Sequence, residues 1–93
     1  MKRFESILII NGNLNESEVE KVQEKIINEI KQNGGIENVE NWGKKKLAYP
    51  VKGHNEGIYV LINFLSDMEY IDELERIIGN TEEVIKHIIV KVD

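Results

Sequence analysis

Two stretches of this chain are apolar at almost every position, and they constrain its fold more than any other feature. Phe4 to Ile10 is an isoleucine-rich run ended by Asn11-Gly12-Asn13, and Ile58 to Leu65 is a second run of the same kind. Runs this short, bounded by turn residues, read as strands rather than helices. Alternate side chains of a strand point to opposite sides of its sheet, so a strand that is apolar on both faces belongs at the centre. In the first run Phe4, Leu8 and Ile10 share one phase, while Glu5, Ile7 and Ile9 share the other. In the second, Val60, Ile62 and Phe64 form the more uniform set, and Tyr59, Leu61 and Asn63 the mixed one. In the first run the charged phase is expected outward, and in the second the uniform set is expected on the core face. The mixed sets predict an outer face on which Ile7 and Ile9 stand exposed beside Tyr59 and Leu61, the kind of patch that marks a protein partner. A partly covered face with scattered surface isoleucines fits the same pattern.

The rest of the chain supplies two helices and two more strands. Asn15 and Glu18 are spaced as a capping box, after which Val19, Val22, Ile26 and Ile30 recur every three or four residues until Asn33-Gly34-Gly35. Ser66 and Glu69 repeat the capping-box spacing ahead of Tyr70, Ile71, Leu74, Ile77 and Ile78, with Gly79 as the stop. Ile36 to Leu47 mixes Ile36, Val39, Trp42 and Leu47 with charges, a weak strand pattern that predicts a bulge or an irregular start. Pro50 and Gly53 punctuate Tyr49 to Gly57, which predicts a long hairpin loop. Val84 to Val92 closes the chain as a strand in which His87 alternates with Ile85 and Ile89. The order βαββαβ places both helices on one face of a four-stranded antiparallel sheet, with the first and third strands central. The expected class is therefore α+β, ferredoxin-like, as one domain over residues 1–93; a chain of this size buries roughly 60 to 70% of its unfolded surface.

Charge is distributed unevenly over this frame. From Asn41 to Asn55 there are four lysines and no acid, so the window carries +4, while the remaining eight Lys and Arg stand against seventeen Asp and Glu, or −9. A basic window in an acidic chain is a local electrostatic footprint. Trp42 and Tyr49 bracket Lys44, Lys45 and Lys46, which suits a nucleic acid whose bases stack while its phosphates are neutralised. Lysines guarding an edge strand against aggregation would give the same run. The overall charge of −5 opposes a nucleic-acid binder, so a basic companion or the window itself has to overcome the repulsion.

Several chemistries are missing. The chain has no cysteine, which removes disulfides, thiolate catalysis and cysteine-based metal sites and fits a reducing compartment, with the cytoplasm expected. Ser6 to Ile10 is too short for a secretion signal or a membrane span, so an unprocessed soluble chain is expected. The two histidines, His54 and His87, lie on different elements without carboxylates at metal-ligand spacing, and no phosphate loop or nucleophile elbow is present. His54 reads as a loop residue near phosphates. Sheets of this order also carry acyl-phosphate hydrolases, but the turn Asn11 to Asn15 lacks the arginine that such a phosphate cradle needs. No catalytic residue, metal or cofactor is expected. A small regulatory or dimerisation domain without RNA binding is the alternative class, and it leaves Lys44-Lys45-Lys46 beside Tyr49 unexplained.

The run Gly43-Lys44-Lys45-Lys46-Leu47-Ala48-Tyr49-Pro50-Val51-Lys52 resembles the signature of the family of the sixth protein of the bacterial small ribosomal subunit. The likeness continues through Met1-Lys2-Arg3-Phe4-Glu5, Gly34-Gly35, Glu56 to Phe64, Glu73-Leu74-Glu75-Arg76 and Ile88-Ile89-Val90-Lys91. Ser6, Asn11-Gly12 and Ile58 depart from the family pattern. The resemblance implies a structural protein that binds the central domain of the small-subunit ribosomal RNA together with the eighteenth small-subunit protein. On that reading Lys44, Lys45, Lys46, Lys52 and His54 lie near phosphates, Tyr49 packs on or near RNA, and Lys2, Arg3 and Lys86 add contacts at strand ends. Glu5, Ile7, Ile9, Tyr59 and Leu61 then form the face for the protein partner.

Overall fold

The computed structural model describes residues 1–92. Its elements are β1 (Lys2–Asn11), α1 (Glu16–Asn33), β2 (Gly34–Val51), β3 (His54–Ser66), α2 (Ile71–Gly79) and β4 (Val84–Lys91), with a single 3-10 turn at Met68–Tyr70 before α2. The four strands form one antiparallel sheet in the order β2-β3-β1-β4, so the two apolar runs are its central strands, as their patterning requires. Phe4, Leu8 and Ile10 of β1 and Val60, Ile62 and Phe64 of β3 face the helices. They pack with Val19, Val22, Ile26 and Ile30 of α1 and with Leu74 and Ile78 of α2. Phe4 and Phe64, paired across the strands, stack with ring centroids 5.6 Å apart.

Helix α1 starts where its cap dictates. The Asn15 side chain accepts from the Glu18 amide at 2.9 Å, and the Glu18 carboxylate accepts from the Asn15 amide at 3.0 Å, so both halves of the box are closed. The second box does not form. Ser66 pairs with Lys2 on one side and Gly34 on the other as the last residue of β3. Held there, its hydroxyl donates to the Asp67 carbonyl at 3.0 Å instead of capping a helix, and α2 begins only after the 3-10 turn.

The expected long loop between β2 and β3 is also corrected. Both strands continue to a two-residue turn, Lys52-Gly53, with φ of 50° and 82°. Positive φ at both central positions is the requirement of a type I′ hairpin turn, whose twist matches that of the strands. His54 is accordingly the first, half-buried residue of β3 and not a loop residue. The slack sits inside β2: Lys46 pairs with Glu56 and Val51 with His54, so Leu47 to Pro50 arch out opposite Asn55 alone. Pro50, which has no N–H to offer a ladder, falls in this arch of an edge strand.

That arch alters the outer face. Leu47 folds back onto Ile9 and Ile85 in a second apolar cluster, with Val51 and Tyr59 packed against it. Ile9 is 8% exposed and Leu61 7%, so the expectation that these two stand open on the outer face is overturned. The cover comes from a bulge: the register of β1 and β4 shifts between Ile9 and Ile10, which gives Ile85 its place beside Ile9. Glu5, Ile7 and Tyr59 are half-buried, and the open apolar surface moves to Ile88 and Val90 on the β4 edge. His87 pairs with Leu8 and so lies on the helix side, where Gly79 of α2 approaches its ring.

Candidate nucleic-acid interface

The pairing of β1 with β3 ends at Asn11 and Gly57, opposite which β2 has reached Lys45. Beyond that point β2 and β3 have no third strand beside them and project as a two-stranded arm. Its base is braced by the turn after β1: the Gly12 amide donates to the Glu56 carbonyl at 3.3 Å, and a Cβ on Gly12 would lie 2.9 Å from that carbonyl. The Asn11-Gly12-Asn13 turn therefore stops the strand and also holds the arm, and only a glycine allows so close an approach.

The lysines are spread around the arm. Lys44 pairs with Ile58 and lines an open cleft of about 630 Å³ against Leu14, Glu16, Val19 and Glu20 at the start of α1. Lys45 shares its phase with Leu47 and so lies on the outer side, while Lys46 shares the phase of Lys44. A bulge at Gly43, with φ of 83°, sets this alternation; Asn41 Oδ1 accepts from the Gly43 amide at 2.7 Å and Asn41 Nδ2 donates to Gln23 Oε1 at 3.2 Å. Lys52 occupies the tip, and Tyr49, 67% exposed, stands on the arch. Ion pairs among the described residues join the Met1 amino group to Asp67, Arg3 to Glu37 and Arg76 to Glu73. None involves Lys44, Lys45, Lys46 or Lys52; Glu56 stands across from Lys46, and Glu16 and Glu20 share the cleft with Lys44, without closing an ion pair.

Lys86 pairs with Ile9 at the arm end of the sheet, next to Ile85, which shares a cluster with Leu47. Lys2 and Arg3 are elsewhere. They pair with Ser66 and Leu65 at the other end of β1, roughly 30 Å from Asn11 at about 3.3 Å per residue, and Arg3 already meets Glu37 at 3.4 Å. The structure thus gathers Lys44, Lys45, Lys46, Tyr49, Lys52, His54 and Lys86 and leaves Lys2 and Arg3 apart. Trp42, 44% exposed, turns away from the core, and its Nε1 donates to Glu40 Oε1 at 3.2 Å. The Asn11-Gly12 dipeptide is legible as a turn, but its contact with Glu56 is non-local, and no local pattern marks Glu40.

Among the described residues, no group of three or more His, Cys, Asp or Glu side chains could hold a metal ion, and no helix is long and apolar enough to cross a membrane. Fold and site together define a small ferredoxin-like α+β protein whose distinctive chemistry is a braced β-arm of unpaired lysines. Residues 3–91 match the family model described as Ribosomal protein S6. A small ribosomal subunit protein bS6 from Clostridium acetobutylicum is 40% identical, over 100% of this chain and 99% of its own. The protein of that name from Clostridium perfringens is 44% identical, over 98% and 97%. The crystal structure of 30S ribosomal protein S6 from Thermotoga maritima superposes with a TM-score of 0.81 at 38% identity, covering 97% of this chain and 86% of that one. The chain belongs to the ribosomal protein S6 family of the small ribosomal subunit.

Proposed function

We propose that this chain acts as a single structural domain of the small ribosomal subunit, in the cytoplasm, binding the central domain of the small-subunit ribosomal RNA as a heterodimer with the eighteenth small-subunit protein. The observation that carries this reading is the braced arm with its base, where Lys44, Lys45, Lys46 and Lys52 form no ion pair among the described residues. Tyr49 offers an exposed ring beside them, and His54 and Lys86 lie at the same end of the molecule. Lys2 and Arg3 would meet RNA only through a second contact region. Contacts to phosphates fix position without reading bases, so selectivity comes from RNA shape and from the partner. The −9 outside the window repels RNA, and a basic companion on the outer face, across Glu5, Ile7 and Tyr59 and the open Ile88 and Val90, reverses that field. The role is assembly and involves no chemical step.

The test is affinity for the RNA central domain across a salt series, with this protein alone, the companion alone and the two mixed. The mixture should bind more tightly than either component. Replacing Lys44, Lys45 and Lys46 with alanine should flatten the log–log salt slope by about 0.7 to 0.9 for each lost contact. Ile88→Glu, on an exposed edge position, should remove the advantage of mixing without unfolding the chain. An unchanged slope, or a lone protein that binds as well as the mixture, overturns the proposal.

A further inference from the structure

The outer face of the sheet is divided. Strand register pairs Ile88 with Ile7, Ile7 with Leu61 and Leu61 with Glu40, so one row crosses all four strands from an isoleucine on the β4 edge to a carboxylate on the β2 edge. The neighbouring row runs Val90, Glu5, Asn63, Asn38. The β4 half of the face is apolar apart from the half-buried Glu5 and is open at Ile88 and Val90, the β2 half carries the exposed Glu40 among amides, and neither row contains a basic residue.

Glu40 is fixed in place although it is exposed. Its Oε1 accepts from Trp42 Nε1 at 3.2 Å and its Oε2 from Asn38 Nδ2 at 2.7 Å, and Asn38 Nδ2 also lies 3.4 Å from Asn63 Oδ1. Both donors are neutral. They orient the carboxylate without cancelling its charge, and no cation among the described residues pairs with it. An arginine guanidinium is planar and presents paired N–H donors that match the two oxygens of a carboxylate. The exposed indole of Trp42 beside it provides a face on which a guanidinium also stacks. A lysine ammonium, a point charge, gains from neither feature to the same degree.

We infer that Glu40, with Trp42, is the seat for an arginine of the basic protein docked on this face, whose aliphatic side chains cover Ile7, Ile88 and Val90. The inference rests on the partner reading above and adds which chemistry fixes the partner's orientation. Three strand spacings, about 14 Å, separate the apolar edge from the carboxylate, close to the width of one helix with its side chains. The occupant is therefore a basic amphipathic segment with aliphatic residues on one flank and an arginine on the other. Reversing it would set the arginine over Ile88 and an apolar flank over Glu40, so the division of the face selects one orientation.

Calorimetric titration with the eighteenth small-subunit protein tests this, using wild type, Glu40→Gln and Trp42→Phe, with the thermal midpoint recorded for each. Glu40→Gln keeps an acceptor for the indole, gives up the one for the exposed Asn38 amide and removes the charge; it should weaken binding by about tenfold or more with little change in the thermal midpoint. Trp42→Phe, which frees the carboxylate to rotate, should weaken binding by a smaller factor. Changing each arginine of the partner to lysine in turn should reveal one whose loss is not additive with Glu40→Gln. Equal binding by wild type and Glu40→Gln overturns the arginine seat while the partner reading stands. A loss from Glu40→Gln to which no arginine couples also overturns it, since net charge alone would then account for the effect. No binding by wild type overturns both.

Discussion

Gly57 of β3 lies against Ile9 of β1, so closely that a Cβ on residue 57 would overlap the Ile9 Cγ2 methyl, with Leu47 Cδ2 3.6 Å away. This contact joins the end of the central sheet to the arm, because Gly57 also pairs with Lys45 where the arm begins. Gly57→Ala should cost about 1 to 3 kcal/mol by overpacking in a urea titration. Ile9→Ala removes the obstructing methyl, so the double variant should be more stable than the sum of the two single losses predicts. Additive losses would mean that the overlap is relieved in some other way.

Lys52 adopts φ of 50° in the hairpin turn, a conformation that Asn and Gly reach more easily than other residues. Stability alone would favour asparagine there. Lys52→Asn should raise stability by up to about 1 kcal/mol. If Lys52 meets a phosphate, the same change should lower the salt slope of RNA binding by about 0.7 to 0.9. A variant that gains stability at an unchanged slope would show that the tip lysine makes no such contact.

Ser6 is buried on the helix side of β1, paired with Ile62 and Ile89, and its Oγ has no hydrogen-bond partner. An unsatisfied buried hydroxyl costs about 1 to 3 kcal/mol. Ser6→Ala should therefore shift the urea midpoint upward, by about 1 kcal/mol in free energy. A drop in the midpoint would indicate that the hydroxyl has a partner.

Tyr70 ties the 3-10 turn before α2 to α1: its hydroxyl donates to the Glu29 carboxylate at 3.2 Å and lies 3.3 Å from the Glu29 carbonyl. Burial, followed by the hydrogen bond and charge of Glu29, raises its pKa above the usual 10.0. The unfolded chain therefore loses this proton first as pH rises. The stability contribution is complete below pH 10, and it declines between 10 and the higher folded value. Tyr70→Phe should flatten the fall in thermal midpoint above pH 10 relative to wild type; equal slopes would remove Tyr70 as its source.

Features set by neighbouring residues were legible in the chain, and those set by register were not. Asn15 and Glu18 close their capping box within one turn, so their spacing sufficed. Ser66 and Glu69 have the same spacing, but Ser66 is held between Lys2 and Gly34, two partners distant in sequence. The apolar phases of β1 and β3 correctly identified the core. They mispredicted Ile9, because its cover, Leu47 and Ile85, arrives through an arch in β2 and a bulge in β4 that no periodicity announces. The basic window could be read as a charge anomaly. That Lys86 lies beside the arm while Lys2 and Arg3 lie at the far end follows only from which strands are adjacent and how they are aligned.

The separation of charge between body and arm has a consequence before any contact is made. With +4 concentrated in the window that forms the arm and −9 distributed elsewhere, the molecule is an electric dipole, and the field of any polyanion exerts a torque on it. Approaches that lead with the helices are repelled, and those that lead with the arm are drawn in. Diffusional collisions are thus sorted by orientation across a Debye length of about 8 Å, and added salt shortens the distance over which that sorting acts.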